Sequence, residues 1–161
     1  MKRKTRWVGF FLILISQTIF AQSDFKFPDK IGYVNDFEGI FTNEQISELN
    51  GIIANQEKET TNQIVIASIK SFAPFENMFD YSLKLSNYWG VGQKDKNNGI
   101  AIVFGKQIRQ IRIQVGFGLE KKLKNEEVKA IIHNVMIPEF KKDDYFMGIK
   151  NGLTAIVKEI E

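Results

Sequence analysis

The sequence predicts an α/β domain: one sheet of three or four strands with helices on both faces. Three observations predict it. Segments with helical spacing alternate with short β-branched runs, in the order α-β-α-β-β-α-α. The run Gln63–Ile69 is apolar for most of its length, as a parallel-type strand buried on both faces should be. A later strand instead interleaves Arg109, Gln110, Arg112 and Gln114 with Ile111, Ile113 and Val115, which marks a sheet edge with one solvated face.

The elements follow from local chemistry. Lys2, Arg3, Lys4 and Arg6 precede an apolar run from Trp7 to Ile15, extended by Ile19 and Phe20. Ala21 suits the position before a signal-peptidase cut, so residues 1–21 read as a signal peptide. The run is short and interrupted for a spanning helix of about 20 residues, and an uncleaved membrane anchor is the alternative reading. Residues 22–32 form an extended leader, and 33–161 the folded domain. Tyr33–Gly39 is a turn-prone segment. Thr42 with Gln45 three residues on is a capping-box pattern, flanked by Phe41 and Ile46 as a hydrophobic staple. Ile46, Leu49, Ile52 and Ile53 carry the stripe of a helix that fades near Thr60–Thr61. After the strand 63–69, Pro74 precedes a helix to about Trp89, with Met78, Tyr81, Leu85 and Trp89 on its apolar side.

Ile100–Phe104 is the next strand. Gly105-Lys106-Gln107 turns the chain, and Ile108–Val115 returns antiparallel. Asn125 can cap a helix with Glu126 and Glu127 in its first turn and with Val128, Ile131, Ile132 and Val135 on its buried face. Pro138 should end it. Asp143 or Asp144 can cap the last helix, striped by Ile149, Leu153, Ile156, Val157 and Ile160. Gly148 and Gly152 lie on one face of it and permit close approach of a neighbour.

Charge and composition narrow the function. Of 22 basic and 19 acidic residues, the signal segment holds four basic and none acidic, which leaves 18 against 19 in the mature chain. Net charge therefore gives no support to nucleic-acid binding. The absence of cysteine excludes a disulfide framework, a thiol nucleophile and a thiolate metal site. No second apolar stretch resembles a membrane span. A cleaved chain ending at Glu161 is expected to be soluble, in the periplasm or secreted.

Several residues have chemical capacity. Asp36, Glu38, Asp95, Asn97, Asn98, Asp143 and Asp144 are oxygen donors at predicted loops and helix starts, the ligand type that calcium and magnesium prefer. They are also ordinary turn and cap residues. The stretch Asp95-Lys96-Asn97-Asn98-Gly99 is not an EF-hand, because Gly99 falls at loop position 5 and Lys106 at position 12. Gly90-Val91-Gly92 and Gly116-Phe117-Gly118 match no nucleotide fingerprint and read as turns with positive φ. Lys94 could neutralise a phosphate oxygen. Glu120, after the second glycine pair, could be a ligand, a general base or a solvated carboxylate. His133, the single histidine, should take a surface or half-buried position on its helix. No G-x-S-x-G elbow accompanies it. Arg109 and Arg112 differ in parity, so the two do not form a clamp, though either can serve alone. Trp89 reads as core.

Five pieces in series carry a resemblance: VNDFEGIFT at 34–42, NQIVIA at 62–67, WGVGQKDKNNGIAIVF at 89–104, IQVGFGLE at 113–120 and IPEFKKDDYFMGI at 137–149. Together they span most of the mature chain. The sequence resembles the TPM-domain family, named for thylakoid-lumen, photosystem-associated and receptor-modulator members. That resemblance implies a three-layer α/β/α sandwich around a central mixed sheet. It also implies export or membrane tethering, divalent-cation binding (notably calcium), and in a plant thylakoid relative an acid phosphatase activity. Other members of the family act as accessory factors. Carried over by position, the acidic motif falls on Asp36, the Lys and Asn-Gly of the loop on Lys94, Asn98 and Gly99, the VGxGLE motif on Val115–Glu120, and the late Asp-Tyr on Asp144 and Tyr145. Asn97 departs from the family's common Asp, and Asp95 can restore that charge.

Two functions of different class follow as expectations. The first is an exported accessory module of the cell envelope, with an envelope protein as partner, that binds calcium or magnesium through Asp36, Asp95, Asn97, Asn98 and Asp144, with Glu38, Asp143 and Glu120 as further donors. The second is a metal-assisted acid phosphatase with Asp36 or Glu120 as base and Lys94 stabilising charge. In both, the oxygen-rich loop is expected to meet Asp36 and Asp144 around one ion.

Overall fold

The structure, a computed structural model, describes residues 25–161. The signal segment and the first three leader residues lie outside the described residues. The sheet has four strands: β1 (Val34–Asp36), β2 (Gln63–Ser68), β3 (Gly99–Gly105) and β4 (Gln110–Val115). They lie in that order, the first three parallel and β4 antiparallel to β3. This is the mixed sheet of the α/β expectation, and β4 is an edge. β1 is the strand that the turn-prone reading of 33–39 missed. Its three residues are too few for a periodic signal, and Asn35 supplies bonds a longer strand would make: its side-chain amide donates to Ile66 O (3.2 Å) and its Oδ1 accepts from Ile31 N–H (2.7 Å).

Alternation along the strands builds two cores. Val34, Ile64, Ile66, Ile100, Ile102, Phe104 and Ile113 face one side. There they meet α1 (Asn43–Thr60) through Leu49 and Ile53, and α5 (Tyr145–Ile160) through Ile149, Leu153, Ile156 and Ile160. Val65, Ala67, Ile69, Ala101 and Val103 face the other side, against Met78, Tyr81 and Leu85 of α2 (Met78–Tyr88) and Trp89. The crossovers β1-α1-β2 and β2-α2-β3 advance the same way across a parallel sheet but put their helices on opposite faces. They therefore have opposite hands, and one departs from the right-handed rule. The leader is less loose than its composition suggests. Phe25 and Phe27 pack on Phe75 and Tyr81, and Trp89 Nε1–H donates to Pro28 O (2.8 Å).

Helix starts follow the sequence closely. Thr42 makes the full capping box with Gln45, and Asp144 caps α5 by accepting from Met147 N–H (2.9 Å). Asn125 is not the cap of its helix but the first residue of α3 (Asn125–Ala130), after Lys124. Pro138 does not end that helix either. A π-helical turn (Ile131–Met136) intervenes before α4 (Ile137–Lys141). There Ile137 N–H reaches back five residues to Ile132 O, a wider turn that accommodates the proline ring and its missing donor. The extra residue rotates the face, so Met136, fully buried, packs inward and Val135 is left half-buried. Met136 and Phe140 fill the space that Gly152 and Gly148 leave open: a Cβ at those glycines would stand 2.6 and 2.5 Å from them.

Candidate functional site

Strand direction decides where each candidate side chain sits. β1, β2 and β3 end together, in the register Asp36–Ser68–Phe104. This carboxyl edge carries Asp36, Glu38, the β3–β4 turn, Asp143 and Asp144. The loop 90–98 enters β3 at its other end, where Gly99 pairs with Gln63 and Ile100 with Val115. Lys94, Asp95, Asn97, Asn98 and Glu120 belong to that amino edge. The two edges are about 20 Å apart along β3. The expectation that Asp36, Asp95, Asn97, Asn98 and Asp144 share one ion is therefore corrected: they form two groups at opposite ends of the sheet.

At the carboxyl edge each acidic side chain already has partners. Asp36 accepts from the backbone N–H of Gly39 (3.1 Å) and Phe41 (2.7 Å) and from the buried Ser68 hydroxyl, and so builds the turn into α1. Glu38 accepts from the N–H groups of Lys106 (2.8 Å) and Gln107 (3.2 Å), pinning the β3–β4 turn. Asp143, with φ at 65°, pairs with the Lys106 ammonium at 2.8 Å. Asp144 caps α5. Lys106 also lies over the Tyr145 ring (5.2 Å). Its hydrogen bond to Asp143 holds its pKa above the ordinary lysine value, with the charges of Asp143, Tyr145 and Glu38 acting in the same sense. The Lys106 ammonium thus already neutralises Asp143, one of the four carboxylates at this edge. Among the described residues no three His, Cys, Asp or Glu side chains converge as a metal site requires. With each carboxylate engaged separately, the residues as arranged at this edge do not fit a resident ion.

Beside this edge lies a cleft of about 460 Å³, lined by Arg109, Gln110, Ile137, Phe140, Lys141 and Tyr145 among others, within the size range of small-ligand sites. Its wall is a stack of rings, with Phe140 4.6 Å from Tyr145 and both about 6 Å from Phe104. Neither Arg109 nor Lys141 forms an ion pair with a described carboxylate. Arg109 takes a left-handed conformation (φ 51°) at the end of the turn, and its side chain is exposed. Sequence reasoning named Arg109 only as an isolated possibility and missed Lys106 and Lys141. The available signal was a lysine and an arginine in a tight turn directly after a fully buried strand.

The amino edge is a clamp made largely of backbone. Asn98 is 4% exposed. Its Oδ1 accepts from Gln93 N–H (2.9 Å) and its Nδ2 donates to Thr61 O (2.8 Å). Asn97, with φ at 49°, offers its carbonyl to Gly118 N–H (3.0 Å). Gly90 and Gly92 have positive φ, as expected, but Gly116 and Gly118 do not. Those two are glycines because the loop backbone passes against them. Lys94, Asp95 and Glu120 are exposed, and no described hydrogen bond orients their side chains. His133 is exposed on the π-helical turn, as expected for a surface histidine.

Sheet order and helix placement define an α/β/α module around a mixed sheet. The profile of the TPM domain matches residues 34–159, and the chain belongs to the TPM-domain family. Among solved structures it is similar to the N-terminal domain of a P. gingivalis protein, with 30% identity, a TM-score of 0.73, and coverage of 79% of this chain and 80% of that one. It shares its fold with the BA42 protein of the psychrophilic bacterium Bizionia argentinensis (17% identity, TM-score 0.66, coverage 77% and 83%). The N-terminal domain of the cg2496 protein of Corynebacterium glutamicum shares it too (15%, 0.64, 84% and 85%). No functionally curated protein matches the sequence.

Proposed function

We propose that this TPM domain is an exported, non-catalytic binding module of the cell envelope whose carboxyl-edge cleft receives an anionic group. The observation that carries this reading is the division of labour at that edge. The carboxylates are engaged in holding the fold, whereas Arg109 and Lys141 line the cleft without an ion-pair partner, and the acidic residue that lines it with them, Asp143, is paired with Lys106. Guanidinium and ammonium groups beside an aromatic wall suit a carboxylate or phosphate on a small organic body. Ser68, whose hydroxyl donates to Asp36, is fully buried and out of reach of a substrate, so it supports no nucleophilic role.

The test is an amide NMR titration with inorganic phosphate, run beside an assay with an aryl phosphomonoester. Phosphate is expected to shift the amides of 106–111 and 141–145. Arg109→Ala should weaken binding roughly tenfold, as loss of a charge-assisted contact does. Unmoved amides would remove the anion reading. Steady turnover of the ester would replace it with the phosphatase reading.

A second reading, calcium or magnesium binding at the same edge, is favoured by one observation: Asp36, Glu38, Asp143 and Asp144 share the edge that holds the Lys106 ammonium. It makes a sharp demand, because the ion must take the place of Lys106. Lys106→Met is then expected to bind calcium roughly tenfold more tightly than the unaltered domain, since one competing positive charge is gone. Calorimetry giving equal affinities, or no heat from either protein, would sink this reading.

A further inference from the structure

We propose that the free edge of β4 is a docking strand for an extended acidic polypeptide segment of another protein. Antiparallel pairing sends alternate residues of β4 toward β3. Gly116 N–H donates to Gly99 O (2.8 Å), so the bonded pairs continue through Gln114–Ala101, Arg112–Val103 and Gln110–Gly105. The N–H and C=O groups of Ile111, Ile113 and Val115 therefore point away from the sheet. No hydrogen bond from another described residue reaches them. Sheets usually blunt such an edge with a bulge, a proline or a very short strand. β4 keeps unbroken register over six residues and contains no proline; the one blunting device it carries is the charge of Arg112, which deters a basic strand and not an acidic one.

The edge runs along the floor of a trough. Three hollows follow it from Arg109 to Phe117, between α2 on one side and the 125–140 helical segment on the other. Phe79, Leu83 and Phe117 border it as exposed apolar side chains, at 43, 39 and 80% exposure. A strand added here would alternate its side chains between two walls. One wall, on the α2 side, presents Arg112, held over the Phe79 ring at 4.7 Å. The other is formed by the half-buried Ile132 over the buried Ile113 and Val128, with Lys129 exposed beside them.

Arg109, Arg112, Lys124, Lys129 and Lys141 line the trough against Glu120 and Glu126, apart from Asp143, which is paired with Lys106. The matching segment is extended and acidic: carboxylates on the α2 side meet Arg112, and Lys124, Lys129 and Lys141 along the other wall favour the same sign of charge beside its apolar residues. A second copy of this chain fits less well. Edge-to-edge pairing of two β4 strands would set their Arg112 side chains on one face at neighbouring positions, where like charges repel.

The probe is an acetylated, amidated octapeptide of alternating glutamate and valine. Its control is the lysine–valine counterpart. On adding the acidic peptide, the amides of Ile111, Ile113 and Val115 should shift and gain protection from hydrogen exchange. The basic peptide should leave them unchanged. The double variant Arg112→Glu/Lys129→Glu should bind the acidic peptide at least roughly tenfold more weakly and reverse the preference toward the basic one. Unchanged edge amides with the acidic peptide, or equal response to both peptides, would overturn the proposal. Protection of the same amides without peptide, accompanied by a doubled mass in light scattering, would also overturn it and assign the edge to a second copy. Ile113 and Val115 lie outside the carboxyl-edge cleft, so failure here is distinguishable from failure of the anion reading.

Discussion

Replacing Gly118 with alanine is expected to cost the domain about 3 kcal/mol of stability, the upper range for overpacking a close contact. A Cβ at this position would stand 2.0 Å from Lys96 O and 3.1 Å from Asn97 O. Both obstacles are backbone atoms of the loop leading into β3, so no side-chain rotation can relieve the clash. The loop cannot withdraw cheaply, because Asn97 O accepts from Gly118 N–H and Asn98 O accepts from Gln63 N–H. Gly116→Ala meets the same loop, with Asn97 O at 2.2 Å, and should be similarly costly. Urea unfolding reads the effect directly. A midpoint unchanged in either variant would show that the loop yields, and that the glycines are not there for close approach.

Asn98→Ala is the second large effect, also about 3 kcal/mol. Truncation of the buried Asn98 side chain strands two part-buried backbone groups, Gln93 N–H and Thr61 O, at about 1–3 kcal/mol each. Asn98→Asp divides the role: the carboxylate can still accept from Gln93 N–H but cannot donate to Thr61 O, so it should recover only part of the loss. This pair of variants also separates a structural amide from a metal ligand. A structural amide predicts the same loss with and without calcium in the buffer. If the loss appeared only with calcium present, Asn98 would return to the ligand set.

Much of the architecture was legible because it is written in short-range patterns. The box Thr42–Gln45, the buried run 64–67, the alternation in 110–115 and the stripe of α5 each depend on neighbours within a few residues. The errors arose where a pattern was too short or was bent. β1 spans three residues, two of them polar, and a side-chain amide completes its pairing. Pro138 reads as a stop but sits after a π-helical turn whose wider bonding absorbs it. The loss of β1 had a consequence for the site. With β1 unrecognised, Asp36 had no strand end to belong to, and its place opposite the 90–98 loop could not be read.

The sequence by itself determined which segments are helices and strands, where most of them start, and which faces they bury. These depend on backbone propensity and on the periods of 3.6 and 2 residues. Only the tertiary structure decided which loops share an end of the sheet, since that depends on strand direction and on the face each crossover takes. It separated Asp36 and Asp144 from Asp95, Asn97 and Asn98 by the length of a strand. It also set the Lys106 ammonium against Asp143, on a turn whose backbone Glu38 grips from 68 residues away in sequence. Electrostatic partnership acts over a few ångströms of space, and no spacing along the chain encodes it.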